Sequence, residues 1–359
     1  MRTLVIENLE IKPLDVELTD SFVISQGSVH SVQSLLVILT LDNGIKGYGE
    51  ITPFPELSGE NREACTEKFN LISPDIIGLS LNNIRSIALQ LNEALPASPS
   101  VRCGIEISML DALTRSFEIP LWSYFGGLNQ EILQTDITIP ILSIERSLEL
   151  AEKWYNKDFR TLKIKVGSDH DKEIELITKI NTEFNGLQFI IDANQAFDEH
   201  QALEFTRELL AKDCNIILLE QPLNRYDYIG MGRLKKLLKV PIAADESVFS
   251  KQELQQVLQH SSADVVNLKI MKTGVFNSLD IASTALSHGL DLMIGGMVET
   301  RIAMGCSVSI AMGYAPIKYI DLDTPLLMAS DPVLGGYSYC GPDIMPWESP
   351  GLGMEPLFV

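Results

Sequence analysis

The chain has 359 residues, with 48 acidic against 28 basic side chains and a formal net charge of −20. Such a surface repels nucleic acid and anionic membranes, and no apolar run approaches the ~20 residues of a membrane span. The length exceeds what one compact domain needs, and it accommodates a barrel of ~250 residues plus a second module.

The N-terminus, Met1 to Glu7, turns charged too soon for a signal peptide, so a cytoplasmic location is expected. Five cysteines (Cys65, Cys103, Cys214, Cys306, Cys340) are scattered without CxxC spacing, as free thiols in a reducing compartment would be. Leu4 to Ile6 and Leu35 to Leu41 are β-rich runs, and Asp42-Asn43-Gly44 is a hairpin signal. Helical patterns follow over 61–73, 82–95 and 102–117. Strands followed by segregated helices predict an α+β module over residues 1–125.

From about Thr135 short β-rich runs alternate with amphipathic segments. The runs cover 136–139, 161–166, 189–192, 216–220, 241–245, 265–269, 292–295 and 319–321. Eight such strands predict a parallel α/β barrel over 126–323, buried on both faces. No Gly-rich phosphate turn follows the first strands, which argues against a doubly wound open sheet. The Pro- and Gly-rich remainder, 324–359, is expected to return to the N-terminal module.

Nearly every predicted strand ends in a charged residue: Lys163 and Lys165, Asp192, Glu220, Asp245, Lys269, then Asp321 and Asp323. In a barrel these ends form one mouth. Three carboxylates on successive strands repel one another unless a cation compensates them. Oxygen ligands without His or Cys favour Mg²⁺. Lys163 and Lys165, two apart, point to one side of their strand. A lysine beside a second ammonium and a cation is expected to lose its proton more readily, approaching a working base. Strands two and six face each other, so lysines would flank the α-carbon of a carboxylate held between them. A base on one face and an acid on the other predict racemisation or epimerisation.

Lys163-Ile164-Lys165-Val166-Gly167, Asp192-Ala193-Asn194, Glu220-Gln221-Pro222, Asp245-Glu246-Ser247 and Asn267-Leu268-Lys269 resemble the enolase superfamily, muconate-lactonizing subgroup. The resemblance implies a capping domain on a modified TIM-type barrel, (β/α)₇β. It implies one Mg²⁺ per subunit on Asp192, Glu220 and Asp245, Lys165 and Lys269 as the acid/base pair, and Lys163 assisting at the carboxylate. Asp321-Leu322-Asp323 resembles the dipeptide epimerases, in which this Asp-x-Asp binds the free α-ammonium. Epimerases selective for C-terminal Glu resemble this chain around Ser21-Phe22 but carry Arg where Gly27 stands. An Ala-X dipeptide with small or hydrophobic X is therefore the expected substrate. Thr138, Gly296 and Val298 are further candidate contacts, and Thr52 to Leu57 is a cap segment expected to reach the substrate.

The sister reactions, o-succinylbenzoate synthesis and cycloisomerisation, offer no ammonium for Asp321 and Asp323. A sugar-acid dehydratase would carry a His base on strand seven, which 295–299 lacks. A non-catalytic barrel would have lost a lysine or a carboxylate. Glu299 and Arg301 are expected to pair with each other. Homo-oligomerisation is left open by the sequence.

Overall fold

The computed structural model describes residues 3–24, 27–314 and 316–358, without the side chains of residues 21–29, 56 and 57. Three antiparallel strands open the chain: β1 (Ile6–Ile24), β2 (Gly27–Leu41) and β3 (Lys46–Ile51). Gly44 closes the β2–β3 hairpin at φ 80°, a conformation that glycine adopts without steric cost. β1 extends far beyond the expected Leu4 to Ile6. Pro13 interrupts its strand pattern in the sequence, yet β1 is an edge strand, where a missing N–H is tolerated.

Helices α1 (Arg62–Ile76), α2 (Ile84–Ala94) and α3 (Pro99–Ser116) follow. α3 is buried all round from Pro99 to Thr114, because it lies under the sheet and against the barrel. It approaches the sheet so closely that a Cβ on Gly49 would collide with the carbonyl oxygen of Gly104.

The barrel strands are β4 (Ile137–Ile139), β5 (Thr161–Lys165), β6 (Gln188–Asp192), β7 (Ile216–Glu220), β8 (Ile242–Ala244), β9 (Val265–Leu268), β10 (Asp291–Ile294) and β11 (Tyr319–Ile320). All eight pair in parallel and in chain order. The seam between first and last strands is joined by Asp136 N donating to Ile320 O (3.0 Å) and Leu322 N to Thr135 Oγ1 (2.9 Å). Helices α4 (Ile144–Tyr155), α5 (His170–Glu183), α6 (Glu199–Ala211), α7 (Tyr228–Leu237), α8 (Lys251–His260), α9 (Val275–Ser287) and α10 (Arg301–Gly313) fill the crossovers. Among the described residues a 3₁₀ turn, Thr324–Leu327, and no α-helix follows β11, which makes the barrel (β/α)₇β.

Two buried carboxylates of the N-terminal module dock onto barrel helices. Glu106 accepts from Val275 N (2.5 Å) and Phe276 N (3.3 Å) at the start of α9. Glu50 accepts from Thr300 N (3.1 Å), Thr300 Oγ1 (2.6 Å) and Ala303 N (3.1 Å) at the start of α10. Each satisfies amide donors that a helix leaves unpaired and meets the positive end of its dipole. The last residues return to α3, where Asp111 accepts from Leu352 N (2.7 Å). Among the described residues no helix is long and apolar enough to cross a membrane.

Candidate active site

Ile190, Leu218, Ala243, Val265, Met293 and Tyr319 form an apolar layer inside the barrel, one from each of strands β6 to β11. Side chains alternate along a strand, so two residues further on each strand the chain faces inward again. Those positions are Asp192, Glu220, Asp245, Asn267, Gly295 and Asp321. One apolar layer thus supports one polar layer at the mouth. The register adds Lys165 opposite Asp192, and Asp192 opposite Glu220.

The structure brings every predicted lysine and carboxylate into one buried network. Lys163 Nζ lies 2.7 Å from Glu220 Oε2, 2.7 Å from Asp321 Oδ2 and 3.1 Å from Asp192 Oδ2. Lys165 Nζ donates to Asp192 Oδ2 at 2.6 Å, and Lys269 Nζ to Asp245 Oδ2 at 2.7 Å. Burial alone would raise the Asp192 pKa, but Lys165 and Lys163 outweigh it and hold it at about 2. Asp245 is likewise held far below the carboxylate range, against burial, by Lys269 and Lys272. Glu220, desolvated and beside Asp192, rises to about 7.

The carboxylates also act on Lys163 and Lys269. Burial disfavours their charged form, yet Asp321 and Glu220 hold Lys163 well above its ordinary range, and Asp245 raises Lys269. In the protein alone the surrounding carboxylates outweigh the repulsion between ammonium groups. Asp192, Glu220 and Asp245 offer only oxygen, are fully buried and occupy adjacent strand ends, so they fit a hard divalent cation.

Sequence reasoning missed the residues that brace this network. Lys272 Nζ contacts Asp245 Oδ1 (2.5 Å), Asp245 O (2.7 Å) and Asn267 O (3.1 Å). Gln221 Oε1 accepts from Asp245 N and Ser247 N, both at 3.0 Å, which ties β7 to the strand beside it. Asn267 Nδ2 donates to Glu220 Oε1 at 2.7 Å. The spacing Lys269-x-x-Lys272, one helical turn beyond a strand end, was the available signal for the lysine.

Asp323 does not cap the turn that it opens; its Oδ2 accepts from Thr138 N at 2.6 Å. Burial, then Asp321, raises its pKa to about 6. Asp321, Asp323 and Asp136 each bring one carboxylate oxygen within 4.8 Å of the others. Phe54, Thr138, Lys163, Lys165, Asn194, Lys269, Gly296, Met297, Val298, Asp321, Asp323 and Thr324 line one cavity, which includes the three lesser candidates. Gly295 beside it is tightly placed, since a Cβ would lie 3.0 Å from Asp321 Oδ2 and 3.1 Å from Asn267 Oδ1. The side chains of Ser21 and Phe22, and the Gly27 position, fall outside the described side chains.

Glu299 and Arg301 do not pair, contrary to expectation. Arg301 extends to Asp331 (2.7 Å), and Glu299 Oε1 accepts from Met297 N (2.7 Å) while its second oxygen has no partner among the described residues. Burial raises the Glu299 pKa from 4.5 to about 8. The folded protein therefore binds a proton that the unfolded chain has released, and stability falls as pH rises through that window. Glu299→Gln should lose less stability than the parent between about pH 5 and pH 8. Urea midpoints at both pH values check this, and equal losses would remove Glu299 from the account.

Residues 8–126 match the N-terminal domain of mandelate racemase / muconate lactonizing enzyme, and residues 146–357 match the enolase C-terminal domain-like family. The chain is 39% identical to an L-Ala-D/L-amino acid epimerase of Populus trichocarpa, over 94% of this chain and 81% of that protein. It is 33% identical to an L-Ala-D/L-Glu epimerase of Thermotoga maritima, over 88% and 91% of the two chains. The dipeptide epimerase of Enterococcus faecalis V583, solved with Mg and L-Leu-L-Tyr, superposes with a TM-score of 0.94 at 29% identity, covering 98% and 99%. The chain belongs to the mandelate racemase/muconate lactonizing enzyme family of the enolase superfamily, and it stands among that family's epimerases, which are isomerases.

Proposed function

We propose that this chain is a magnesium-dependent dipeptide epimerase that inverts the C-terminal residue of Ala-X, with X small or hydrophobic. The observation that carries the reading is the order of charges around the mouth. Lys165 and Lys269 stand at strands two and six, the carboxylates Asp192, Glu220 and Asp245 between them, and Asp321 and Asp323 at strand eight.

Asp192, Glu220 and Asp245 would hold the Mg²⁺, which would supply positive charge to the substrate carboxylate. Lys163, already among carboxylates, donates to the same oxygens. One of Lys165 and Lys269 takes the α-proton, and the other returns a proton on the opposite face. Asp321 and Asp323 hold the α-ammonium, which puts the second residue of the dipeptide between the lysines. An N-acyl or cyclic substrate would leave that carboxylate pair unmatched, which weighs against the o-succinylbenzoate and cycloisomerase readings.

Phe54, Met297 and Val298 give the cavity apolar walls, and residues 25–28 contain no cation to meet a side-chain carboxylate. Burying a Glu side chain there would leave a charge unpaired. With Mg²⁺ in D₂O, L-Ala-L-Val or L-Ala-L-Leu should take up α-deuterium at the second residue at least ~10-fold faster than L-Ala-L-Glu. Mass spectrometry reads the uptake. Faster uptake with L-Ala-L-Glu would overturn the specificity, and conversion of succinylbenzoate or a lactone without dipeptide exchange would overturn the activity.

A further inference from the structure

Asp136 lies on the barrel seam, one residue before β4, on the same strand face as Thr138. It is 2% exposed, and among the described residues neither of its carboxylate oxygens has a hydrogen-bond partner. One of these oxygens lies within 4.8 Å of oxygens of both Asp321 and Asp323. The cation bonded to this trio is Lys163, which reaches Asp321 at 2.7 Å but is shared with Asp192 and Glu220. An unpaired buried carboxylate is costly, and a fold keeps one without penalty only where a cation comes to it. Burial and the neighbouring Asp321 and Asp323 push the carboxyl upward, as expected of a group that lacks such a cation.

We propose that Asp136 is a third carboxylate of the cation-binding wall, and that it makes a free substrate ammonium a requirement rather than an option. Two carboxylates suffice to hydrogen-bond an ammonium. The third lies behind them; it keeps its proton while the site is empty, ionises when an ammonium arrives where water is excluded, and so favours a free ammonium over a neutral N-acyl group in the same place. This rests on the dipeptide reading above. It assigns Asp136 a positioning and specificity role, not a proton-transfer step.

The test compares free L-Ala-L-X with its N-acetyl derivative, X being the preferred residue, in the parent and in Asp136→Asn. The ratio of kcat/KM for free over acetylated substrate should fall at least tenfold, through a higher KM for the free dipeptide with kcat changed less than threefold. Asp136→Ser reads the same ratio if the Asn variant does not fold. A parent active on free dipeptides whose ratio is unchanged in the variant overturns the Asp136 proposal alone. A parent that acts only on acetylated amino acids overturns the dipeptide reading and this proposal together. Two bound divalent ions per chain in the parent against one in Asp136→Asn, measured by elemental analysis, would mean a second metal site and also overturn it.

Discussion

Replacing either Lys165 or Lys269 by Ala should abolish epimerisation, by about 10³-fold or more, while leaving part of the proton exchange intact. The two ammonium groups are anchored separately, Lys165 on Asp192 at 2.6 Å and Lys269 on Asp245 at 2.7 Å, so loss of one does not displace the other. On the proposed mechanism each reaches one face of the α-carbon. Without Lys165, the dipeptide epimer whose α-proton faces Lys269 can still lose it and regain deuterium on the same face. The opposite epimer cannot start. Lys269→Ala should reverse that preference. NMR of each pure epimer in D₂O reads the two faces independently of turnover. If both variants lost exchange from both epimers alike, one lysine would serve as the sole base, with the other acting only on charge. Lys163→Ala should slow exchange from both epimers equally, because Lys163 bridges Glu220 and Asp321 rather than standing on one face.

The barrel was legible because its period is rigid. Strands buried on both faces show as apolar runs, and most of these runs end in a charge at the mouth, as with Leu218 and Glu220. That regularity exposed the lysines, Asp192, Glu220, Asp245 and Asp321 before any coordinates. Residues whose importance depends on what they touch across the barrel stayed hidden. Lys272 looks like an ordinary helical lysine until it is found on the Asp245 carboxylate and two backbone carbonyls. Asp136 belongs to the first predicted run, yet its meaning comes from the seam, where strands far apart in sequence meet. The carboxylates around Lys163 were hidden for a related reason. Lys163-x-Lys165 suggests repulsion, whereas the carboxylates that dominate come from four other strands. The extent of β1 was missed because Pro13 carries no mark of the edge position that tolerates it.

Lys272→Met should destabilise the metal-free protein by about 3–5 kcal/mol, and Mg²⁺ should recover more of that loss in the variant than it adds to the parent. Methionine approximates the length and volume of the lysine stem, so the cavity cost is small. What is lost is an ammonium fully buried against Asp245 Oδ1 at 2.5 Å and two carbonyl oxygens. Asp245 then keeps Lys269 as its ion-pair partner, and its excess negative charge has no solvent to spread into. On the proposed ligand set, a divalent cation on Asp192, Glu220 and Asp245 would supply the missing charge, and a ligand that binds only the folded state stabilises it increasingly with its affinity. Urea titrations of both proteins, in EDTA and in saturating Mg²⁺, give the four stabilities required. A deficit of the same size with and without Mg²⁺ would mean that Lys272 supports the backbone alone, through the carbonyls of Asp245 and Asn267. A deficit that shrinks with Mg²⁺ ties Asp245 to the cation by a readout that needs no substrate.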